Sequence, residues 1–593
     1  MMFDYFKDYL SNTTTNPADV PVSRPLPNRP EMVRNTDGGG FVFQLDQWAI
    51  LRRFLINGAE GNTFYETPKD VTMRNMNIVA KCAQTDFART LAEIVYVSYG
   101  TDADQRSLGP DNKPCVAALT LCLLGLGYAK HDSAFYALER VVRRLPDLYY
   151  MVDLLRDVKG VFTTHQNREM HYRASKTIVR LIRQLLVSWA TNQENGYNKL
   201  ERQVVQYGSR VVSKGGTSWS LGQLLSEYHP TSTDPDVNAV FSYATWKDSR
   251  EDAMPDVSVV TTVDRQQYDV LWEVAFPFLW AYEQLRAETR KARVLNLIHD
   301  AKLPWEAVPD QWRDDVDVWM TLLPHMKLGA LTRHLAELSR KHVIGAGFPG
   351  QSLVLAKLVD DREIKASRLH PLNWVKSWYF YKSGRRLTRF HNVQIWNPDG
   401  RILEAMQAGF YKTFATVEPT GRARRLCIDC SASMTWTNLG NVPGFDPRTA
   451  SAVLAMVALK TDPGTSVIGF SSGAIPIDIN PAMSLEEVKQ RIARVLAAGT
   501  NISAAIEDAR LHNQRFGSFE IYTDNEVNGG GHPSAVIQRY REWSGDPNVA
   551  LIVNAMTSVN FSIADPRDPR MADFPGMGSN TPTLIANFVA GRI

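Results

Sequence analysis

The chain has 593 residues, of which 44% are hydrophobic, and carries 66 basic and 63 acidic side chains for a net charge of +3. That length holds roughly four average domains, or fewer if part of it is a solenoid. Near-neutrality excludes a polycation that gathers nucleic acid by overall attraction, so any such site must come from local clustering.

The first residues, Met1-Met2-Phe3-Asp4-Tyr5-Phe6-Lys7-Asp8, place acids where a signal peptide needs a basic region followed by an apolar one. Five cysteines, Cys82, Cys115, Cys122, Cys427 and Cys430, are odd in number and sparse, which points to free thiols in a reducing compartment. The expected location is the cytoplasm. Residues 11 to 40 hold Pro17, Pro21, Pro25, Pro27 and Pro30 and then Gly38-Gly39-Gly40, the composition of a mobile lead segment, so order is expected to begin near Phe41.

From Phe41 to about Ala415 helical-period segments alternate with short breaks, and few runs alternate with period two. Helices are expected at Gln47 to Ile56, Arg74 to Tyr99, Ala134 to Leu145, Ser175 to Trp189, Tyr268 to Ile298, Met326 to Leu338 and Ser352 to Leu358. Cys115 to Ala129 is too short to cross a bilayer and reads as a buried helix. An all-α body of stacked helices follows, without a fixed-period consensus that proves repeats.

Two basic segments stand out in this body. At about 100° per residue, Arg173, Lys176, Arg180 and Arg183 share an arc of roughly 80°, with Ile178, Leu181, Ile182, Leu185 and Trp189 on the other side. Such a stripe can track phosphates, although a solvated helix face is the commoner meaning of the pattern. The run from Trp374 to Phe390 interleaves aromatics with Lys376, Lys382, Arg385, Arg386 and Arg389. Trp374, Trp378 and Tyr381 fit a core stripe at i, i+4, i+7. The basic loop from Lys382 to Arg389 is the better candidate for a single-stranded RNA ligand.

After these, the apolar run Leu426-Cys427-Ile428 ends in Asp429, Ser431 and Ser433, a DxSxS triplet. A buried parallel strand opening into a loop is where α/β sheets place ligands. Hydroxyls beside a carboxylate suit magnesium, which prefers near-octahedral oxygen at about 2.0–2.1 Å, and leave it electrophilic. Two later segments could complete the site: Ala498-Gly499-Thr500-Asn501, before the helical stretch from Ile502, and Phe519 to Asp524, an apolar-leaning run ending in an acid. The plain alternative is that Ser431 and Ser433 cap a helix starting near Met434. Cys427 and Cys430 form a CxxC, but no second pair completes a zinc site.

The triplet with Thr500 and Asp524 resembles the metal-ion-dependent adhesion site of a von Willebrand factor A domain, over about residues 423 to 593. The resemblance implies a doubly wound sheet, a divalent metal ion, Mg2+, held by Asp429, Ser431, Ser433, Thr500 and Asp524, and an open position for a partner's carboxylate. The whole chain resembles the Ro sixty-kilodalton autoantigen family, a TROVE module followed by an A-type domain. The residues that carry this run from Phe54 to Tyr65 and from Phe410 to Gly421, with the metal motif, Thr523-Asp524-Asn525-Glu526, Met556-Thr557-Ser558 and Ile563-Ala564-Asp565-Pro566.

That family implies a mainly α fold: after a flexible Pro-rich extension, residues 1–35, that exceeds the common pattern, 36–422 is expected as a monomeric ring of HEAT-like helical repeats and 423–593 as the A domain. It implies Y-like noncoding RNA on the outer ring surface, and single-stranded 3′ ends of misfolded or precursor rRNA in the central hole. A nuclease partner, such as an exoribonuclease, or another protein docks through the A domain; no membrane is involved and no catalysis is implied. The family's RNA-contacting stretch aligns with Val211 to Pro230, where Lys214, Trp219 and His229 keep the family's residue types; Arg180, Arg183 and Trp189 match an upstream helix. Val212 and Gly216 stand where relatives carry basic residues, and the insertion from Asn438 to Pro447 exceeds the common pattern. The RNA set is therefore Arg173, Lys176, Arg180, Arg183, Lys214, His229, Lys382, Arg385, Arg386 and Arg389. A competing reading is a metal-dependent adhesion scaffold whose A domain binds an acidic side chain. A phosphoester hydrolase is disfavoured, since a two-metal centre wants more converging carboxylates than Asp429 and Asp524.

Overall fold

In the computed structural model the described residues are 16–35, 39–57, 68–99, 112–162, 176–191, 197–208, 211–212, 218–249, 272–387, 392–436, 438–439, 442–495, 499–523, 527–555, 561–574 and 581–591. They divide into two compact units, one of residues 79–99 and 112–357 and one of the remainder.

The first unit is built of helices, among them Phe87–Tyr99, Lys113–Thr120, Ala134–Val141, Leu145–Phe162, α1 (Lys176–Thr191), Tyr197–Tyr207, α2 (Leu221–Tyr228), Pro235–Ser249, Pro277–Ala287, Lys291–Ala301 and Leu328–Arg340. Neighbours along the chain pack on one another, as α2 does on Pro235–Ser249 and Pro277–Ala287 on Lys291–Ala301. This is how helical repeats bury faces that no single helix can bury alone. α2 begins at a reciprocal cap, in which the Ser220 hydroxyl accepts the Gln223 N–H and the Gln223 side chain accepts the Ser220 N–H, both at 3.1 Å.

Two expected helices are each broken by a local carboxylate. Arg74 to Tyr99 is Pro68–Thr85 and Phe87–Tyr99, because Asp86 Oδ1 accepts the Arg89 N–H at 2.9 Å and starts a new helix. Within Tyr268 to Ile298, helix Pro277–Ala287 stops where Glu288 accepts the N–H groups of Thr289 and Arg290 at 3.1 and 2.9 Å, and Lys291–Ala301 follows. The stretch from Cys115 is buried as expected, but after Thr120 it widens into a π turn, Leu121–Gly125, before Gly127 at φ +84°. Among the described residues no helix is long and apolar enough to cross a membrane.

The second unit centres on a six-stranded sheet. Its strands are β3 (Arg424–Asp429), β4 (Ser466–Phe470), β5 (Ala474–Pro476), β6 (Ser518–Thr523), β7 (Ala550–Ala555) and β9 (Met571–Asp573), in the order β9-β7-β6-β3-β4-β5. All pairs are parallel except that of β4 with β5. A smaller sheet joins β1 (Met32–Arg34), β2 (Phe41–Gln44) and β8 (Phe561–Ser562), with Met32 opposite Phe43. Helices α3 (Pro371–Lys382) and α4 (Gly400–Thr413) precede the large sheet; α5 (Pro447–Thr461), α6 (Ser503–Leu511) and α7 (Pro533–Ser544) are interleaved with it.

Side chains from α6 and α7, such as Ile506, Val536 and Tyr540, pack with Ile521, Leu551 and Val553. The alternate positions Ala550 and Ile552 pack with Leu584 and Ile585 of helix Thr581–Val589. Alternation along β7 thus feeds apolar layers on both faces, as a doubly wound sheet requires.

Arg424 is a buried cation of this unit. Arg424 donates to Glu520 at 2.6 and 2.7 Å and to Asp462 at 3.2 Å. Burial pulls the Arg424 guanidinium down, but Glu520 and Asp462 outweigh it and hold the group above its ordinary value. Asp462 also accepts the N–H groups of Thr420 and Gly421 at 2.7 and 3.1 Å, which fixes the chain where it enters β3.

The mobile lead segment expected up to Phe41 is corrected for residues 16–35. Ala18, Val20, Val22, Leu26 and Met32 are buried in the same apolar cluster as Ile521 and Val536. Arg29, 6% exposed, closes two 2.6 Å bonds on Asp565, which is 1% exposed. The prolines read as disorder, yet they alternate with apolar residues that find partners more than 480 positions away. The insertion from Asn438 is a closed turn in its described part: Leu439 N donates to Phe445 O at 2.7 Å and both side chains are buried.

Candidate metal centre and nucleic-acid interface

β3 delivers Asp429 to the carboxyl edge of the large sheet, fully buried. Its Oδ1 accepts the Ser431 N–H at 2.8 Å and its Oδ2 accepts the Thr523 hydroxyl at 2.9 Å. Tyr522 pairs with Ile428 in register, so Thr523 at the end of β6 falls beside Asp429. The Ser431 and Ser433 hydroxyls are 2.9 Å apart. Adjacent oxygens of an octahedron with bonds near 2.05 Å are separated by about 2.9 Å, so this pair already has the spacing of two neighbouring magnesium ligands. No helix starts at Met434; Ser431 precedes a short 3-10 turn, Ala432–Thr435, and makes no side-chain cap.

The third segment reaches the same edge through β4. Phe470 ends β4 opposite Asp429, and Ser471 O accepts the Asn501 N–H at 2.6 Å. Thr500, 2% exposed, is clasped by Asn528, whose Oδ1 accepts the Thr500 N–H at 2.6 Å while its own N–H donates to Thr500 O at 3.2 Å. Asp524 lies outside the described residues. Thr523, Asn528 and Arg448, which donates to Ser431 O at 3.3 Å, went unrecognised in the sequence. Only Thr523 left a signal, as a hydroxyl at the last position of a strand next to that of Asp429. The CxxC is buried, and none of the five cysteines is in a disulfide. Burial pushes the Cys427 and Cys430 thiols up to about 12, with the Asp429 charge adding to the effect on Cys430.

On α1 the expected faces are realised. Lys176, Arg180 and Arg183 are exposed, while Ile178, Leu181, Ile182, Leu185 and Trp189 are buried. Trp189 is therefore core, its indole N–H donating to Gln203 Oε1 at 3.0 Å, and is not a base-stacking platform. Arg183 Nε donates to the Tyr228 carbonyl at the end of α2, and His229 follows as an exposed cap at φ +45°. The structure thus brings together two RNA candidates 46 positions apart: Arg183 and His229 line one groove of about 480 Å³, with Phe135, Glu139 and Ser188. Arg173 and Lys214 lie outside the described residues.

In the second basic segment the aromatics are mostly interior. Trp374, Tyr379 and Tyr381 are buried, and the Trp374 and Trp378 indoles donate to Met406 O and Leu403 O of α4 at 2.6 and 3.1 Å. The stretch from Lys382 is not a loop: Arg385–Leu387 pairs antiparallel with Val393–Ile395, with Arg385 opposite Ile395. Lys382, Arg385 and Arg386 are exposed, and Lys382 sits 4.7 Å above the Trp378 ring. Arg389 lies outside the described residues.

Residues 424–589 match the Ro60 vWA domain model and residues 299–378 match the TROVE domain model. The chain is 28% identical to a Deinococcus radiodurans protein named "RNA-binding protein RO60", over 98% of each chain. The chain is similar to Ro proteins over nearly its whole length. A Caenorhabditis elegans Ro relative of the same name is 25% identical, over 96% of this chain and 92% of its own. The crystal structure of the Deinococcus radiodurans RO (RSR) protein superposes with a TM-score of 0.68 at 26% identity, covering 92% of this chain and 100% of that one. The metal cradle thus lies in the vWA match, whereas the cations of α1 fall before the matched TROVE residues.

Proposed function

We propose that the chain is an RNA-binding protein of the Ro type, acting without turnover in RNA quality control or processing. The observation that carries this is the pairing of near full-length similarity to proteins named for RNA binding with an exposed cation row, Lys176, Arg180 and Arg183, over a solid apolar face. Phosphates neutralised by that row release counterions, and the Arg183–His229 groove beside it offers a concave seat. Y-like noncoding RNA and the single-stranded 3′ ends of misfolded or precursor rRNA are the proposed ligands, and the cytoplasm the proposed location. Filter binding of one structured RNA with and without a 3′ tail tests the reading. Tighter, salt-sensitive binding of the tailed RNA supports it, and equal, weak binding that ignores salt overturns it.

A second function is supported by the spacing of Ser431 and Ser433. Asp429, Ser431, Ser433 and Thr500, with Asp524, would hold Mg2+, a Lewis acid for the carboxylate of a protein partner such as an exoribonuclease. Asp429 is held by Ser431 and Thr523 before any metal arrives, which lowers the cost of ordering the site. Magnesium titration of the full chain by calorimetry tests it; an isotherm identical to that of Asp429→Ala removes the metal from the proposal.

A further inference from the structure

The segment before β2 does more than cover apolar surface, because it is fastened to the loop that clasps Thr500. Val22 N donates to Gly530 O at 2.8 Å, Gly40 N to Val527 O at 3.0 Å, and Phe41 N to Val22 O at 2.7 Å. Pro21 and Gly531 form a β-bridge, and His532 Nε2 bonds to Arg24 O at 2.7 Å. Residues 527 to 532 are therefore held along one side by residues 21 to 41. On its other side the same loop presents Asn528 to Thr500, Gly529 N to Thr500 O at 3.3 Å, and Gly531 O to the Ser503 hydroxyl at 2.6 Å.

The fit is close enough to transmit a shift. A Cβ on Gly40 would lie 2.5 Å from Val527 O, one on Gly531 would lie 2.6 Å from Ala18 O, and one on Gly530, at φ +76°, would overlap the Asn501 side chain. Packed backbone in contact on both sides moves as a unit instead of absorbing displacement. The segment is anchored through residues outside the cradle: Arg29 bonds Asp565 through both terminal nitrogens and also bonds Glu31, and Arg539 bonds Asp19 at 2.6 Å.

We infer that residues 17–35 and 39–44 form a strap that positions Thr500 through the 527–531 loop, and so set the metal affinity of the cradle without supplying a ligand. Arg29 acts as a positioning residue, the latch of the strap. This inference rests on the magnesium reading of Asp429, Ser431, Ser433 and Thr500. Partners that orient ligands without touching the metal typically change affinity by about 10- to 100-fold, and the strap acts one step further out, so a loss near the lower end is expected.

The test uses the full chain and two variants, Arg29→Lys, which keeps the charge but loses the paired bonds, and Gly40→Ala, which pushes on Val527. Magnesium affinity is read by calorimetry, and amide exchange of residues 527–531 is read without metal. The expected result is about tenfold weaker magnesium binding in both variants, with faster exchange confined to the strap and that loop. A wild-type chain that binds no magnesium overturns the metal reading and this inference with it. Wild-type binding retained in full by either variant, despite faster exchange at 527–531, overturns the coupling alone. Should Arg29→Lys fail to fold, Gly40→Ala decides by the same two readings.

Discussion

Replacing Lys176 and Arg180 together by Gln removes two exposed charges from α1 and leaves its buried face, Ile178, Leu181, Ile182 and Leu185, untouched. Arg183 is kept, because its Nε–H holds the Tyr228 carbonyl at the end of α2 and its loss would disturb packing as well as charge. Surface changes of this kind alter stability by about 0.5 kcal/mol or less, so the melting temperature is expected to stay near wild type. For single-stranded RNA each neutralised phosphate contributes about 0.7 to the slope of log K against log salt, so losing two contacts lowers the slope by about 1.4. Over a fourfold rise in salt, that is about sevenfold less loss of affinity for the variant than for the wild type. Filter binding of a 3′-tailed RNA from low to moderate salt measures both slopes. A double variant with the wild-type slope refutes the assignment of phosphate contacts to this row, even if its affinity at one salt concentration is lower.

Three further outcomes follow from the same structure. Glu520→Gln leaves Arg424 buried with half of its charge compensation gone, and destabilisation by about 3–5 kcal/mol is expected in denaturant unfolding; an unchanged midpoint contradicts the ion network. Burial pushes the Glu201 carboxyl up to about 7, against the pull of the Leu279 and Phe278 N–H groups it accepts at 2.9 Å. The folded chain then binds more protons than the unfolded one between about pH 4.5 and 7, so this group's contribution to stability falls as pH rises through that window. Glu201→Gln is expected to flatten the pH dependence of the melting temperature there, and an unchanged slope rules the shift out. Asp429→Ala is expected to abolish magnesium binding while leaving affinity for tailed RNA at the wild-type value; a parallel loss of RNA binding would contradict the separation of the two sites.

Local periodicity carried much of this architecture. The α1 faces and the buried strand into Asp429 rest on spacing that neighbours a few positions apart already display. What was hidden depends on distant partners. Arg424 carries no signal of its burial in the sequence because its carboxylates, Asp462 and Glu520, lie 38 and 96 positions further on. Pro17 to Pro30 looked mobile because the cluster that receives Val20 and Val22 is assembled from β6, β7, α6 and α7. Asp86 and Glu288 were read as members of long helices, although short carboxylates compete for backbone N–H groups and begin or end helices where they stand. Within the site, Asp429, Ser431, Ser433 and Thr500 could be named from residue type, whereas the Asn528 and Arg448 side chains bond the backbone of Thr500 and Ser431 and leave no motif.

The measurement that bears most directly on the account is ultraviolet crosslinking of the full chain to a 3′-tailed RNA, with the linked peptides identified by mass spectrometry. Crosslinks are expected on peptides spanning residues 176–191, 221–231 and 382–387, unchanged by removal of magnesium. Crosslinks confined to residues 424–593, or lost with magnesium, would contradict an RNA grip built on the cations of α1 and the hairpin and place it on the metal cradle instead.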